Sequence, residues 1–135
     1  MGQQQLLLLI IGVVLVGLAI VAAFPVLERN FRQDEADGLL ERALAISTHA
    51  AGWRSVNTRF GGGQGSYERL ATNGLGMLSI DSTTVRGRYR ITAATATTLE
   101  ITGVSTRREG IGVRVYLNEY SVDSSAVRLD GSITL

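Results

Sequence analysis

The hydrophobic positions of the chain follow three successive patterns. From Leu6 to Leu27 there is no charged residue, and only Gly12, Gly17, Pro25 and a few alanines interrupt the large aliphatic side chains. As a helix this run spans about 33 Å, enough for a bilayer hydrocarbon core of roughly 30 Å. It is apolar at every helical phase, so it has no wet side to present to water. A small domain has too little core to surround such a helix, and the run reads as a membrane span. A secretory signal peptide fits less well, because no basic residue precedes the run and the apolar stretch is too long.

After Glu28 the period becomes that of an amphipathic helix. Ala36, Leu39, Ala43, Ile46, Ala50 and Trp53 follow one another at three- and four-residue spacing, and Leu40 and Leu44 widen the stripe. Asp34, Glu35, Asp37, Glu41 and Arg42 fall mostly off it. The pattern predicts one helix from about Gln4 to Ala51, with Gly52 as its stop. A kink or short unwound stretch is expected near Pro25, which removes the donor that would have bonded the Val21 carbonyl.

Between Trp53 and Thr84 the chain reads as a long loop carrying Gly61-Gly62-Gly63-Gln64-Gly65. No Lys follows that run and no strand precedes it, so a packed connector is the better reading than a phosphate cradle. From Val85 the period becomes two. Four strands are expected, at Val85 to Thr92, Thr97 to Ser105, Ile111 to Val122 and Ala126 to Leu135. Arg86, Arg88 and Arg90 alternate with Gly87, Tyr89 and Ile91, giving a wet face and an apolar face. Short connections such as Arg107 to Gly110 make the sheet an antiparallel meander, and its apolar face needs a lid. The stripe of Leu39, Leu40, Ala43, Leu44, Ile46, Ala50 and Trp53 supplies one. The fold class is therefore α+β, a long helix whose second half packs on a four-stranded antiparallel sheet.

Composition narrows the chemistry. With 135 residues, 13 basic and 12 acidic, the chain is one modest domain of net charge +1. The absence of cysteine excludes disulfides, thiolate metal sites and a cysteine nucleophile. All basic residues are arginine, so a lysine Schiff base is excluded as well. His49 lies beside the helical stripe, and the serines and acids that could join it are dispersed along the sequence. Asn118, Glu119 and Asp123 lack the spacing of a calcium loop and read as a polar turn. No catalytic residue, cofactor or metal site is expected. The Arg86, Arg88, Arg90 row with Tyr89 and Tyr116 is the wet face of a strand, and at this net charge no specific nucleic acid is expected.

A short polar leader ending in Gly2, an uninterrupted apolar helix, Pro25, an amphipathic continuation and an antiparallel sheet together resemble a type IV pilin or pilin-like protein. Met1-Gly2-Gln3-Gln4-Gln5-Leu6-Leu7-Leu8-Leu9, Phe60-Gly61-Gly62-Gly63, Ser66-Tyr67 and Gly87-Arg88-Tyr89-Arg90-Ile91 look like a group of small bacterial pilin-like proteins. The resemblance divides the chain into a leader (1–2), a membrane and filament-core helix (3–27), its amphipathic continuation (28–52), a glycine-rich connector (53–84) and a sheet domain (85–135). It implies cutting by a prepilin peptidase between Gly2 and Gln3, methylation of the new terminus, and polymerisation of copies of the chain with the help of a pilus assembly machinery. The filament core would be built from Leu6, Leu7, Leu8, Leu9, Ile10, Val13, Val14, Val16, Leu18, Ile20, Val21 and Phe24, with the helix kinked at Pro25. It also implies residence in the inner membrane before assembly and in a cell-surface filament afterwards. Major pilins carry a glutamate at the position of Leu7. That difference favours the alternatives: a minor pilin or pseudopilin, or a monomeric membrane-anchored interaction module.

Overall fold

The computed structural model describes Gly2 to Leu135; Met1, half of the expected leader, lies outside the described residues. The chain divides into two compact units, Met1–Gln33 and Asp34–Leu135. One helix, α1 (Gly2–Ser55), contributes residues to both. In the first unit α1 is continuous through Pro25, with no unwound turn, so the missing donor is absorbed within regular helix.

In the second unit α1 runs past the expected stop at Gly52 and ends three residues later. Gly52 fails as a stop because the cap is formed by a distant segment. The Gly63 N–H donates to the Trp53 carbonyl at 3.0 Å, the Gly65 N–H to Arg54 at 2.7 Å and the Gln64 N–H to Val56 at 2.9 Å. These satisfy carbonyls that a helix end otherwise leaves open. In return, the Trp53 Nε1–H donates to the Gly61 carbonyl at 2.8 Å and the Arg54 Nε–H to Gly65 at 3.0 Å. The approach is too close for side chains: a Cβ on Gly62 would lie 2.3 Å from the Val56 carbonyl oxygen, and one on Gly63 2.5 Å from the Trp53 ring. The connector also holds two short 3₁₀ turns, Thr58–Phe60 and Glu68–Ala71, and a single-turn helix, α2 (Gly74–Met77).

The sheet consists of β1 (Gly87–Ala94), β2 (Thr98–Ser105), β3 (Gly112–Asn118) and β4 (Ser121–Arg128), antiparallel and in sequence order. The expected third strand overran its end. Residues 119 and 120 form a tight turn between the paired Asn118 and Ser121, with Glu119 at φ 56°. No Gly or Pro marks that turn, so the alternation in the sequence carries no break there. The last strand is displaced accordingly, and the C-terminal residues from Asp130 carry no strand. Tyr89, Ile91, Leu99, Ile101, Val113, Val115 and Leu117 enter one core with α1 and with Tyr67, Leu70 and Leu75 of the connector. Leu39, Ala43, Ile46 and Ala50 close that core from the helix, with Leu39 wholly inaccessible to solvent. Fully burying one such aliphatic side chain contributes about 1.5–3 kcal/mol. The free edge of β1 is covered by residues 82–84, through the Tyr89 N–H to the Ser82 carbonyl at 2.7 Å and a bridge between Thr83 and Arg88. β4 forms the opposite edge and is exposed along most of its length.

Candidate functional site

The expected filament-core residues belong to the longest continuous run of exposed apolar side chains among the described residues. Every large aliphatic or aromatic side chain from Leu6 to Leu27 keeps between 45% and 68% of its area accessible, and none is buried. Gly12 and Gly17 have nothing within 4 Å of where a Cβ would stand. The helix is long and apolar enough to cross a membrane, and no residue of its most apolar window is buried. At about 25 cal/mol per Å², such a surface favours transfer from water into lipid or into contact with other apolar helices. Gly2 and Gln3, the expected processing positions, lie in exposed regular helix at its start.

Of the residues expected between helix and sheet, Leu39, Ala43, Ile46 and Ala50 are buried, and Leu40 and Trp53 pack partly against the core. Leu44 does not reach the core and keeps 36% of its area accessible, because it lies on the flank of the stripe. Four polar residues that the periodicity does not mark as buried are so: Thr102, wholly inaccessible on the sheet, and three on α1. Glu35 is buried at the edge of the stripe, accepts a hydrogen bond from the Ser105 hydroxyl at 3.1 Å and has Arg107 3.9 Å away. Ser47 is also buried and donates back to the Leu44 carbonyl at 2.6 Å. Arg54 is buried with its guanidinium 5.1 Å from the Tyr67 ring centroid and 4.6 Å from that of Tyr120. Continuing the four-residue spacing from Ala50 leads to Arg54, so the signal was present, although its charge pointed outward. The Tyr67 hydroxyl donates to the Glu119 carbonyl, tying the connector to the β3–β4 turn. Burial pushes the Tyr67 phenol pKa upward, partly opposed by the neighbouring Arg54 charge.

The arginine row does not survive as the sequence suggested. Arg88 and Arg90 project from the outer face of β1, but the Arg86 guanidinium folds back against Gly38 of α1. His49 is exposed, and among the described residues no group of three His, Cys, Asp or Glu side chains is placed to hold a metal ion.

No family model matches the chain, and no curated protein or solved structure matches it. The long apolar N-terminal helix followed by a four-stranded antiparallel sheet is compatible with a pilin-like fold, and the helix is compatible with membrane anchoring.

Proposed function

We propose that the chain is a non-enzymatic structural subunit of an extracellular type IV pilus-like filament, held in the inner membrane by residues 6–27 and polymerising through the same residues after release. One observation supports this above the others: the sheet unit closes its own core with residues from Ala36 onward, while the apolar helix before it buries nothing. A helix with no wet face is satisfied by lipid or by copies of itself. A heterologous contact between copies that does not close into a ring propagates as a filament. Electron microscopy of sheared surface material, with mass spectrometry of the amino terminus, tests the reading. Filaments containing the chain with Gln3 at its start are expected. A chain confined to membranes with Met1 intact would leave the anchored interaction module instead.

Leu7 favours a second reading, as a minor pilin or pseudopilin, in which the chain is scarce in sheared material. In either reading the new amine needs a polar partner near an apolar core, and we assign that role to the exposed Gln3, Gln4 and Gln5. Replacing all three by leucine is expected to lower assembly at unchanged subunit level; a normal filament yield would show that the glutamines are dispensable.

A further inference from the structure

The sheet register gathers arginines that lie far apart in sequence. Arg88 on β1 pairs with Val104, Val104 with Gly112 and Gly112 with Arg128; the adjacent row is Arg90, Thr102, Arg114 and Ala126. Cross-strand partners share a face, so Arg88, Arg90, Arg114 and Arg128 all project from the side of the sheet turned away from α1, with buried Ile133 packed over Gly112 between Arg88 and Arg128. The next row, Ala93, Glu100, Tyr116 and Ser124, carries Glu100, already occupied by the Arg114 Nε at 3.3 Å and the Thr92 hydroxyl at 2.6 Å, and Asp123 lines the same depression. Glu109, across a shallow depression from Arg88, and Asp130, near Arg128, stand at the margin. Among the described residues Arg88 and Arg90 form no ion pair.

The helix layer carries the opposite charge. Asp34, Asp37 and Glu41 are exposed and unpaired among the described residues. At about 100° per residue they share one side of α1, facing away from the buried stripe of Ala36, Leu39, Ala43, Ile46 and Ala50. The Asp34–Leu135 unit is thus a two-layer body with an acidic strip on the outside of its helix, flanked by Arg86 at Gly38, and arginines on the outside of its sheet. The patches also agree in size. Asp34 to Glu41 spans about 10 Å of helix. Two strand spacings from β1 to β3 also span about 10 Å, and Arg88 to Arg90 about 7 Å.

We propose that the outer face of the sheet, centred on Arg88, Arg90 and Arg114, docks against the Asp34–Asp37–Glu41 side of α1 in a second copy of this chain. The proposal rests on the filament reading and specifies how neighbouring sheet units meet within it. Charge complementarity selects the occupant: like faces repel, so face-to-face symmetric dimers are disfavoured and each copy uses one patch to receive and the other to give. Such a heterologous contact is open-ended. Individual exposed ion pairs contribute little, so the patches set partner orientation and register more than affinity.

The natural absence of cysteine makes the contact directly testable. Full-length chain carrying both Ala45→Cys, one turn beyond Glu41, and Ala126→Cys, beside Arg114, is treated with a short bismaleimide in membranes and in sheared material. A ladder of cross-linked species is expected from the double variant. Copies carrying Ala45→Cys alone, or Ala126→Cys alone, are expected to give none. Adding Arg88→Glu and Arg90→Glu should abolish the ladder. Mixing those copies with double-cysteine copies carrying Asp37→Arg and Glu41→Arg should restore the ladder, because reversed faces then meet reversed faces; a cross-linked dimer alone would come from the unaltered faces and counts as no rescue. Filaments without 45–126 cross-links overturn this docking and leave the filament reading standing. Cross-links without filaments retain the docking and overturn the filament. Loss on charge reversal without rescue also overturns the pairing.

Discussion

The two halves of α1 are built from similar aliphatic residues and meet opposite environments. Before Gln33, side chains such as Leu8, Leu9 and Val21 keep about two-thirds of their area accessible; after it, Leu39, Ala43 and Ile46 keep almost none. The difference is not apolar content, which is greater in the exposed half. It lies in arrangement. A stripe repeating at three and four residues has one direction in which to be buried and meets a single sheet. A helix apolar in all directions cannot be covered by any single neighbour, and its burial has to come from a surrounding medium.

Equal deletions in the two regions should therefore have unequal effects. Ile101→Ala removes a wholly buried side chain from β2 and is expected to cost about 2–5 kcal/mol in thermal unfolding of the sheet unit. Ile10→Ala is expected to leave that transition in place; an equal loss from both would mean that the first half belongs to the same cooperative core. A charge should separate the regions in the opposite sense. Val14→Arg is expected to oppose membrane insertion by about 2.5–3.5 kcal/mol, read as a shift of the chain out of carbonate-resistant membrane fractions, with the unfolding midpoint of the sheet unit unchanged.

Smaller effects are expected where the second half of α1 meets polar partners. Arg54→Met keeps a long side chain but removes the cation between Tyr67 and Tyr120, and should lower stability by about 2 kcal/mol in a denaturant titration. Tyr67→Phe removes the hydroxyl bound to the Glu119 carbonyl and should cost about 1 kcal/mol. The smallest effect is alkaline. Burial raises the pKa values of Tyr67 and Tyr89, so the folded chain keeps phenolic protons that the unfolded chain loses above about pH 10. Stability from these groups is fully present below that value and falls as pH rises through the raised folded values; a melting temperature that increases with pH there would contradict the assignment.

Periodicity made the burial of Leu39, Ala43, Ile46 and Ala50 legible because one helix face meets one sheet face. It made β1 and β2 legible to within two residues. It failed at the β3–β4 connection, where Glu119 takes a left-handed conformation without glycine, and at Gly52, where the helix is stopped by residues ten positions further along. The burial of Glu35 and Arg54 is illegible for a related reason: charge suggests exposure, whereas burial here depends on partners supplied by the Ser105–Arg107 loop and by two tyrosines from other segments. Those partners are set by tertiary structure and leave no local pattern.

The glycine segment that receives the end of α1 also determines how the sheet unit responds to force. Helix carbonyls point along the axis toward the carboxyl end, so the bonds from Gly63 to Trp53 and from Gly65 to Arg54 lie close to the line of a pull applied from the amino end. Tension on the helix would load those bonds end-on, while the packed face of Leu39, Ile46 and Ala50 would be loaded in shear. The sheet unit is thus expected to yield first at the junction of Trp53 with Gly63, with its strands still paired.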